Sequence, residues 1–471
     1  MIKKFNDESM KKIIETMKED SISRNNALFN FIKMISKLDD NDVIAINGNW
    51  GSGKTFFVKQ IELLINFINN IDEEGNYVNE ELATNNLSCI KNLSNDDKKQ
   101  LNEFINAKRK ELRSYFEGNQ INCLYFNAWE YDNNQSPILS IIYKIINDFP
   151  YLSLDISKDK EKMLAIFDTI SASLTNGTIK ISDYTDQNDL LNQIKTSEEV
   201  KESINELFEK LLEENSNKMV IIIDELDRCR PTYAIRLLEE IKHYINSKNI
   251  IIVLATNIYQ LSSTIKNNYG YDFDVDEFLD KIIDLTLSLQ PIDKYKYVNS
   301  LGMESFEGSS TWFTEVIMAY INYRRLEMRS INRFIRLMSL YEKHINTTSR
   351  RRSRKLYLLE FVFLPYCLGE QIFNSNNYNK FIKGNGFEEF YKYISSSESL
   401  KEIIEECIYC STRKEDRNIE LDIKKLYDMI YNPQENITSV KVGNEEFANY
   451  EIKYLFDLCT MLNDFNISDL K

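Results

Sequence analysis

Only two histidines, six prolines and 13 glycines occur in this chain of 471 residues, and each scarcity excludes something. The histidines, His243 and His344, form no cluster and no H-E-x-x-H pair, and there is no G-x-S-x-G elbow. Zinc-peptidase and serine-hydrolase chemistry therefore have no foothold. The seven cysteines are scattered and odd in number, which fits a reducing compartment rather than a disulfide framework. Cys407 and Cys410 make a lone C-x-x-C with no second pair, so both read as core residues of a helix running from Leu400. No apolar run approaches the roughly 20 residues needed to span a bilayer, and the segment from Met1 to Glu8 lacks the apolar core of a signal peptide. The expectation is a cytoplasmic protein with no membrane attachment. A net charge of −15 argues against broad, non-specific nucleic-acid binding. With 43% hydrophobic and 12% aromatic residues, the composition is that of a globular chain, long enough for two or three domains.

Three of the few glycines sit together in Gly48-Asn49-Trp50-Gly51-Ser52-Gly53-Lys54-Thr55, which fits G-x-x-x-x-G-K-[ST], a phosphate-binding loop. Glycine lets the backbone wrap an anion closely enough for successive N–H groups to face its oxygens. The helix that follows adds the positive end of its dipole. In this pattern Lys54 reaches the β- and γ-phosphates and the Thr55 hydroxyl ligates Mg²⁺. The context agrees, with a buried strand at Asp42–Ile46 and a helix from Phe56 to Ile68.

Alternation of strands and helices continues down the chain. Further strands are read at Ile121–Phe126, Met219–Ile223, Ile250–Ala255 and Ile283–Leu289, the last just before Pro291. Helices are read at Glu8–Lys37 (one or two), Pro137–Asp148 and Pro231 to about Asn246. Between the strands lie two polar inserts, near 69–118 and 151–218. Ser94–Tyr115 in the first reads as a solvated helix, and the second carries an amphipathic helix opened by the capping box Thr196–Glu199. The fold class is α/β, a parallel-sheet P-loop NTPase with helical inserts. The expected domains are 1–295 and a C-terminal all-α region at 296–471.

Ile221-Ile222-Ile223-Asp224-Glu225 supplies the second half of a nucleotide site. An apolar strand ending in acid fixes a carboxylate at the sheet's C-terminal edge, where ligands bind in such folds. Asp224 is the expected Mg²⁺ ligand, and Glu225 the base that polarises the attacking water. Asn257, ending the next strand, is placed either to orient that water and sense the γ-phosphate or to cap a helix. No Asn-Lys-x-Asp guanine reader occurs, so ATP is favoured over GTP. There is no Leu-Ser-Gly-Gly signature and no G-x-G-x-x-G dinucleotide fingerprint.

The loop, together with Phe126-Asn127-Ala128-Trp129-Glu130-Tyr131, Asp224-Glu225-Leu226-Asp227-Arg228-Cys229-Arg230-Pro231, and Tyr269-Gly270 followed by Phe278-Leu279-Asp280-Lys281-Ile282-Ile283, resembles the KAP family of P-loop NTPases. Arg329-Ser330-Ile331-Asn332-Arg333-Phe334 extends the likeness. The resemblance implies an ATPase with an additional strand between the two motif-bearing strands, and an acidic cluster of Asp224, Glu225 and Asp227 at the Mg²⁺ site. It also implies that Arg329 is the helical-domain arginine reaching back to nucleotide, with Arg228 and Arg230 as candidate trans-acting fingers. Family members include animal membrane scaffolds and bacterial phage-exclusion proteins, and this chain, with no transmembrane insert between its motifs, is more like the bacterial group.

Three further features complete the reading. Arg350-Arg351-Arg352-Ser353-Arg354-Lys355, with Arg324, Arg325, Arg333 and Arg336, is a candidate nucleic-acid stripe or a solvated face. Asp272–Asp276 fails as a calcium loop because Glu277 and Ile283 stand where Gly and Glu are required. Trp50 and Trp129 read as packing residues, with Trp50 also placed to shield the loop. The functional expectation is a Mg²⁺-ATP-driven switch or assembly subunit in a homo- or hetero-oligomer. It has no effector motif of its own and works with an effector protein in trans, in antiphage defence. The alternatives are a slow-turnover ATP-binding scaffold and a DNA-stimulated ATPase.

Overall fold

The five segments read as strands form one parallel sheet. In the computed structural model these are β1 (Val43–Asn47), β2 (Ile121–Asn127), β3 (Lys218–Asp224), β4 (Ile250–Thr256) and β5 (Leu285–Ser288). They are arranged in the order β2-β3-β4-β1-β5. The structure describes residues 10–149, 217–301, 310–346, 354–409 and 417–453, less short gaps at 39, 70–87, 92, 107, 117–119, 135, 246 and 434–437, and scattered positions between 202 and 212. The chain divides into two compact units, one spanning Asp7–Ile292 and the other Asp293–Lys471 with the first six residues.

In the N-terminal unit, β4 separates β1 from β3, so an additional strand does lie between the strands carrying the two motifs. Every residue of β3 and β4 is buried, which is why both read as continuous β-branched runs. Each isoleucine fully withdrawn from water there stabilises the unit by about 1.5–3 kcal/mol. The register places Asn127 beside Asp224, Asp224 beside Ala255 and Asn47 beside Thr256, so the motif residues end together at the C-terminal edge.

Helix α3 (Lys54–Asn69) starts in the phosphate loop and is buried around nearly its whole circumference. α1 (Met10–Glu19) and α2 (Asn25–Lys37) pack on it. Its buried polar residues have a specific task. β2 is an edge strand, and an edge leaves alternate backbone groups unpaired. Glu62, Asn66 and Asn69 lie on one face of α3, at i, i+4 and i+7. Asn66 donates to the Cys123 carbonyl at 2.8 Å and accepts from the Cys123 N–H at 3.0 Å. Asn69 donates to the Ile121 carbonyl, and Glu62 accepts from the Tyr125 N–H. The helix thus closes the edge with side chains. Lys218, at the other end of β3, donates to the Ile35 and Ser36 carbonyls at 3.2 and 3.1 Å, capping the end of α2.

In the first insert Ser94–Tyr115 holds two helices, Asn95–Asn106 and Arg109–Ser114, rather than one solvated helix, and a short helix at Ser88–Lys91 precedes them among the described residues. Leu101 and Ile105 are buried, and Ser94 and Asp97 form a reciprocal cap. The second insert lies almost entirely outside the described residues, including the Thr196–Glu199 box. Ile204 and Phe208 are described there and are buried.

The C-terminal unit is mostly helical and adds one antiparallel hairpin, Ser439–Val442 with Glu445–Ala448. Its centre is an aromatic cluster, with Tyr366 5.0 Å from both Phe381 and Phe390 and stacked on Tyr393 at 5.2 Å. Glu370 is fully buried among these rings, where the Tyr320 hydroxyl (2.9 Å) and the Arg324 guanidinium donate to it. One segment amends the sequence expectation about apolar runs. Arg354–Phe373 is long and apolar enough to cross a membrane by length and composition, but 72% of its apolar window is buried within the protein. Its middle, Leu359–Phe363, is π-helical just before Pro365, whose missing N–H breaks the ordinary ladder. Cys407 is a core residue as expected, whereas Cys410 lies outside the described residues.

Burial, and next the Asp148 carboxylate, pushes the Glu62 carboxyl up to about 8 from its ordinary 4.5. The folded state therefore holds this proton more tightly than the unfolded chain does. Below about 4.5 both states are protonated and the group costs nothing, and as pH rises towards 8 the cost of burying the charge grows. Glu62→Gln keeps the acceptor for Tyr125 and removes the charge. Its Tm should match the wild type near pH 4.5 and exceed it by on the order of 5 °C near pH 9, as measured by thermal melts across pH. A pH-independent difference would show that Glu62 is not buried as a titrating acid.

Candidate functional site

Two strand ends and one helix start make the site. β1 runs into the turn Gly48–Gly53, in which Gly51 and Gly53 take left-handed φ of 80° and 89°. Any side chain at Gly48 would meet the Ser52 hydroxyl 2.8 Å from its Cβ. The Ser52 Oγ is itself buried without a hydrogen-bond partner, as suits a group lining a cradle for a polar ligand. Lys54, buried at the first turn of α3, folds its ammonium over the loop and donates to the Gly48 carbonyl at 2.6 Å and the Asn49 carbonyl at 3.2 Å. Burial lowers its pKa, against the opposing pull of Asp227, Asp224 and Glu225.

Across the cradle stands Asp224, the last residue of β3, 1% exposed. It accepts from the Thr55 hydroxyl, from the Glu225 N–H at 2.8 Å and from the Tyr125 hydroxyl at 3.0 Å. Burial raises its pKa, and these donors hold it down. A hydroxyl and a carboxylate oxygen touching at the foot of a lysine are the hard donor set that Mg²⁺ takes, so the residues fit a magnesium–phosphate group. Among the described residues no group of three or more His, Cys, Asp or Glu side chains is placed to hold a metal ion.

Glu225 follows with φ 60° and ψ 24°, a left-handed conformation costing a non-glycine residue about 1–3 kcal/mol. Its carboxylate sits 2.5 Å from Nε of Arg228, whose guanidinium also lies 6.0 Å from the Trp129 ring centre. Burial, then the neighbouring Asp224, pushes Glu225 up to about 7, with Arg228 acting the other way.

Asp227 lies within electrostatic reach of Lys54, as Asp224 and Glu225 do, and it also ties the loop down. Its Oδ2 accepts from the Trp50 indole N–H at 2.6 Å and from the Asn257 backbone N–H at 3.1 Å, tying the loop to the end of β4. Trp50 and Trp129 are not core anchors, being 48% and 54% exposed. Asn257 uses its side-chain oxygen to cap α4 (Ile258–Tyr269), accepting from the Gln260 N–H at 3.3 Å. Asn47 accepts from the Ile258 N–H at 3.1 Å beside it. Asp274 likewise caps the short helix Val275–Asp280. Arg230 is exposed, its backbone N–H bonded to Asp132. Arg329 belongs to the C-terminal unit, exposed in the first turn of Met328–Asn346. Arg324, grouped by sequence with the basic run, is occupied by Glu370. Arg350–Ser353 lie outside the described residues, and Lys355 bonds to the Glu446 carbonyl.

Residues 24–346 match the KAP family P-loop domain. The chain belongs to the KAP family. The match begins at Arg24 and runs beyond Ile292 into the C-terminal unit, taking in Arg329. No curated protein matches the chain. Among solved structures, the Aeropyrum pernix ORC2 protein, in ADPNP-ADP complexes, is similar at 12% identity and a TM-score of 0.26, over 94% of this chain and 79% of that one. At that level the likeness carries no functional weight. The family match and the sheet order carry the assignment to a nucleotide-binding P-loop NTPase.

Sequence reasoning missed three interactions of this site. Tyr125 is one residue in an apolar strand, and only the register shows its hydroxyl reaching the neighbouring strand's acid. The Trp50–Asp227 bond joins residues 177 apart. Arg24, buried at the start of α2, donates to the Ser52 carbonyl of the loop at 2.7 Å. Nothing local marks any of these, since each depends on a partner brought in by the fold.

Trp50→Phe keeps the ring and removes the donor. It should cost about 1 kcal/mol of stability in the wild-type background and close to nothing in an Asp227→Ala background. A double-mutant cycle by denaturant unfolding measures this. Equal losses in both backgrounds would show that the bond contributes nothing.

Proposed function

We propose that this KAP protein is a Mg²⁺-dependent ATPase that acts as a nucleotide-driven switch or assembly subunit. The observation that carries the reading is the Thr55–Asp224 contact beneath Lys54, with Glu225 on the next residue at the open edge of the sheet. When bound, Mg²⁺-ATP would supply the transferable phosphoryl group and neutralise charge developing on its oxygens. Gly48 to Thr55 would hold the phosphates, Lys54 turning from the loop carbonyls to the anion, and Thr55 and Asp224 would hold the metal. Glu225, once ionised and free of Arg228, would accept the proton of the attacking water.

No nuclease, protease or other effector motif is recognisable in the sequence, so in this reading the output is delivered through a partner. The family's phage-exclusion members support antiphage defence in a bacterial host, with an effector protein in trans. A slow-turnover scaffold is the second reading, favoured by one observation: the base candidate is already paired with Arg228. That reading expects tight ATP retention with little release of phosphate.

Lys54→Ala should abolish ATP turnover and phage protection together, and protection that survives would sink the switch reading. Glu225→Gln leaves the left-handed backbone unchanged and removes the base. Turnover should fall about 10²–10⁴-fold with ATP binding retained. Affinity capture from the host with that variant, with and without Mg²⁺-ATP, should then recover the effector only in the ATP state. A variant with wild-type turnover would remove Glu225 from its role.

A further inference from the structure

Arg24 is a charged residue withdrawn almost completely from water, 3% exposed, and none of the nucleotide motifs accounts for it. Burying a guanidinium is costly unless its donors are met by well-placed acceptors. Here they meet two carbonyls distant in sequence. Nη1 donates to Ser52 O at 2.7 Å, Nε donates to Gln290 O at 3.1 Å, and Nη2 donates to the same Gln290 oxygen. Gln290 lies just beyond β5, at the sheet edge that carries the loop. The side chain is thus a strut between the start of α2, the phosphate loop and the end of β5.

The peptide joining Ser52 to Gly53 is trans and planar, so its carbonyl and its N–H point in opposite directions. Drawing the Ser52 oxygen towards Arg24 turns the Gly53 N–H the other way. That N–H has no hydrogen-bond partner among the described residues. The loop cannot hold this orientation alone. Gly51 and Gly53 flank Ser52, both at positive φ, and glycine admits the flipped peptide as readily. The flipped form would present a carbonyl oxygen to an incoming phosphate, which repels it, instead of an N–H, which binds it.

We infer that Arg24 is a positioning residue for the phosphate loop: by holding the Ser52 carbonyl outward it keeps the Gly53 N–H aimed into the anion cradle. The inference rests on the nucleotide-phosphate reading of the site and adds to it a determinant outside the loop. It requires the fork of an arginine, since one arm must reach Ser52 while the others stay anchored on Gln290. Lysine keeps the charge but lacks the planar fork, so it cannot reproduce this three-donor geometry on the two carbonyls.

The test uses the full chain as wild type, Arg24→Lys, Arg24→Gln and Lys54→Ala, titrated calorimetrically with Mg²⁺-ATP and with inorganic tripolyphosphate. Thermal midpoints are measured without ligand. Hydrogen exchange is followed in the peptide covering residues 48–56. Losing one aimed N–H to a charged acceptor should weaken both ligands about 10- to 100-fold in Arg24→Gln. Arg24→Lys should fall between, and the ATP-induced protection of the loop peptide should shrink in the same order. Arg24 variants that bind both ligands within about twofold of wild type would overturn the inference, whether or not their midpoints fall, because a purely structural strut lowers the midpoint alone. Should Arg24→Gln not fold, Arg24→Lys decides by the same criterion. A wild-type chain that binds neither ligand would instead overturn the nucleotide reading, and the inference with it.

Discussion

The contact between the Thr55 hydroxyl and the Asp224 carboxylate is the constraint on which the rest of the N-terminal unit depends. These residues are 169 apart in sequence. They meet because β1 and β3 run parallel with β4 between them, and because α3 begins within the turn that leaves β1. A parallel sheet needs helical crossovers, and these bury both of its faces, which accounts for the unbroken apolar character of β3 and β4. Buried strands are stiff, so a carboxylate at the end of one is held in place without help from its own flexible side chain. The three donors to Asp224 then keep a buried acid compatible with charge.

Around that fixed pair the phosphate loop is intrinsically loose. Its glycines are needed for close approach to an anion, and the same glycines allow other conformations. The structure restrains it from three sides. Lys54 bridges its first carbonyls, Trp50 is tied through Asp227 to the end of β4, and Arg24 holds Ser52 against the residue after β5. A ligand site whose backbone donors are set before binding loses less entropy when the ligand arrives. Glu225 is treated differently. Its backbone is strained and its carboxylate is engaged by Arg228, so, like Lys54 on the loop carbonyls, it must change partners before it can act.

Much of this was legible in the residues. The strands came out within about two residues of their observed ends because long Ile-Val runs in a parallel sheet have no competing helical period. The loop and the acidic strand end were legible because phosphate and magnesium chemistry restrict which residue types can stand there. Legibility failed where a side chain's role depends on its neighbours. Nothing in the sequence marks Glu62, Asn66 and Asn69, which close the edge of β2. The two tryptophans read as core anchors because large rings usually bury, and both stand half exposed beside the site. Arg354–Phe373 was not read as a continuous apolar segment because Pro365 and two acids, Glu360 and Glu370, interrupt the run, yet in the folded unit it is a mostly interior helix.

By itself, then, the sequence determined the chemistry this protein is equipped for. Glycines, a lysine, a threonine and two carboxylates at those spacings suit few ligands other than a nucleotide's phosphates with a metal. It also determined the α/β class, since continuous apolar runs alternating with helical patterns leave little else. What the tertiary structure decided is which groups hold those residues in working positions: Tyr125 on Asp224, Asp227 between Trp50 and Asn257, and Arg24 on the loop carbonyl. The division has a physical cause. Ligand chemistry acts through residue type and short spacing, which a linear chain carries openly. Positioning acts through hydrogen bonds between residues far apart in the chain, whose partners exist only once the sheet has brought its strand ends together.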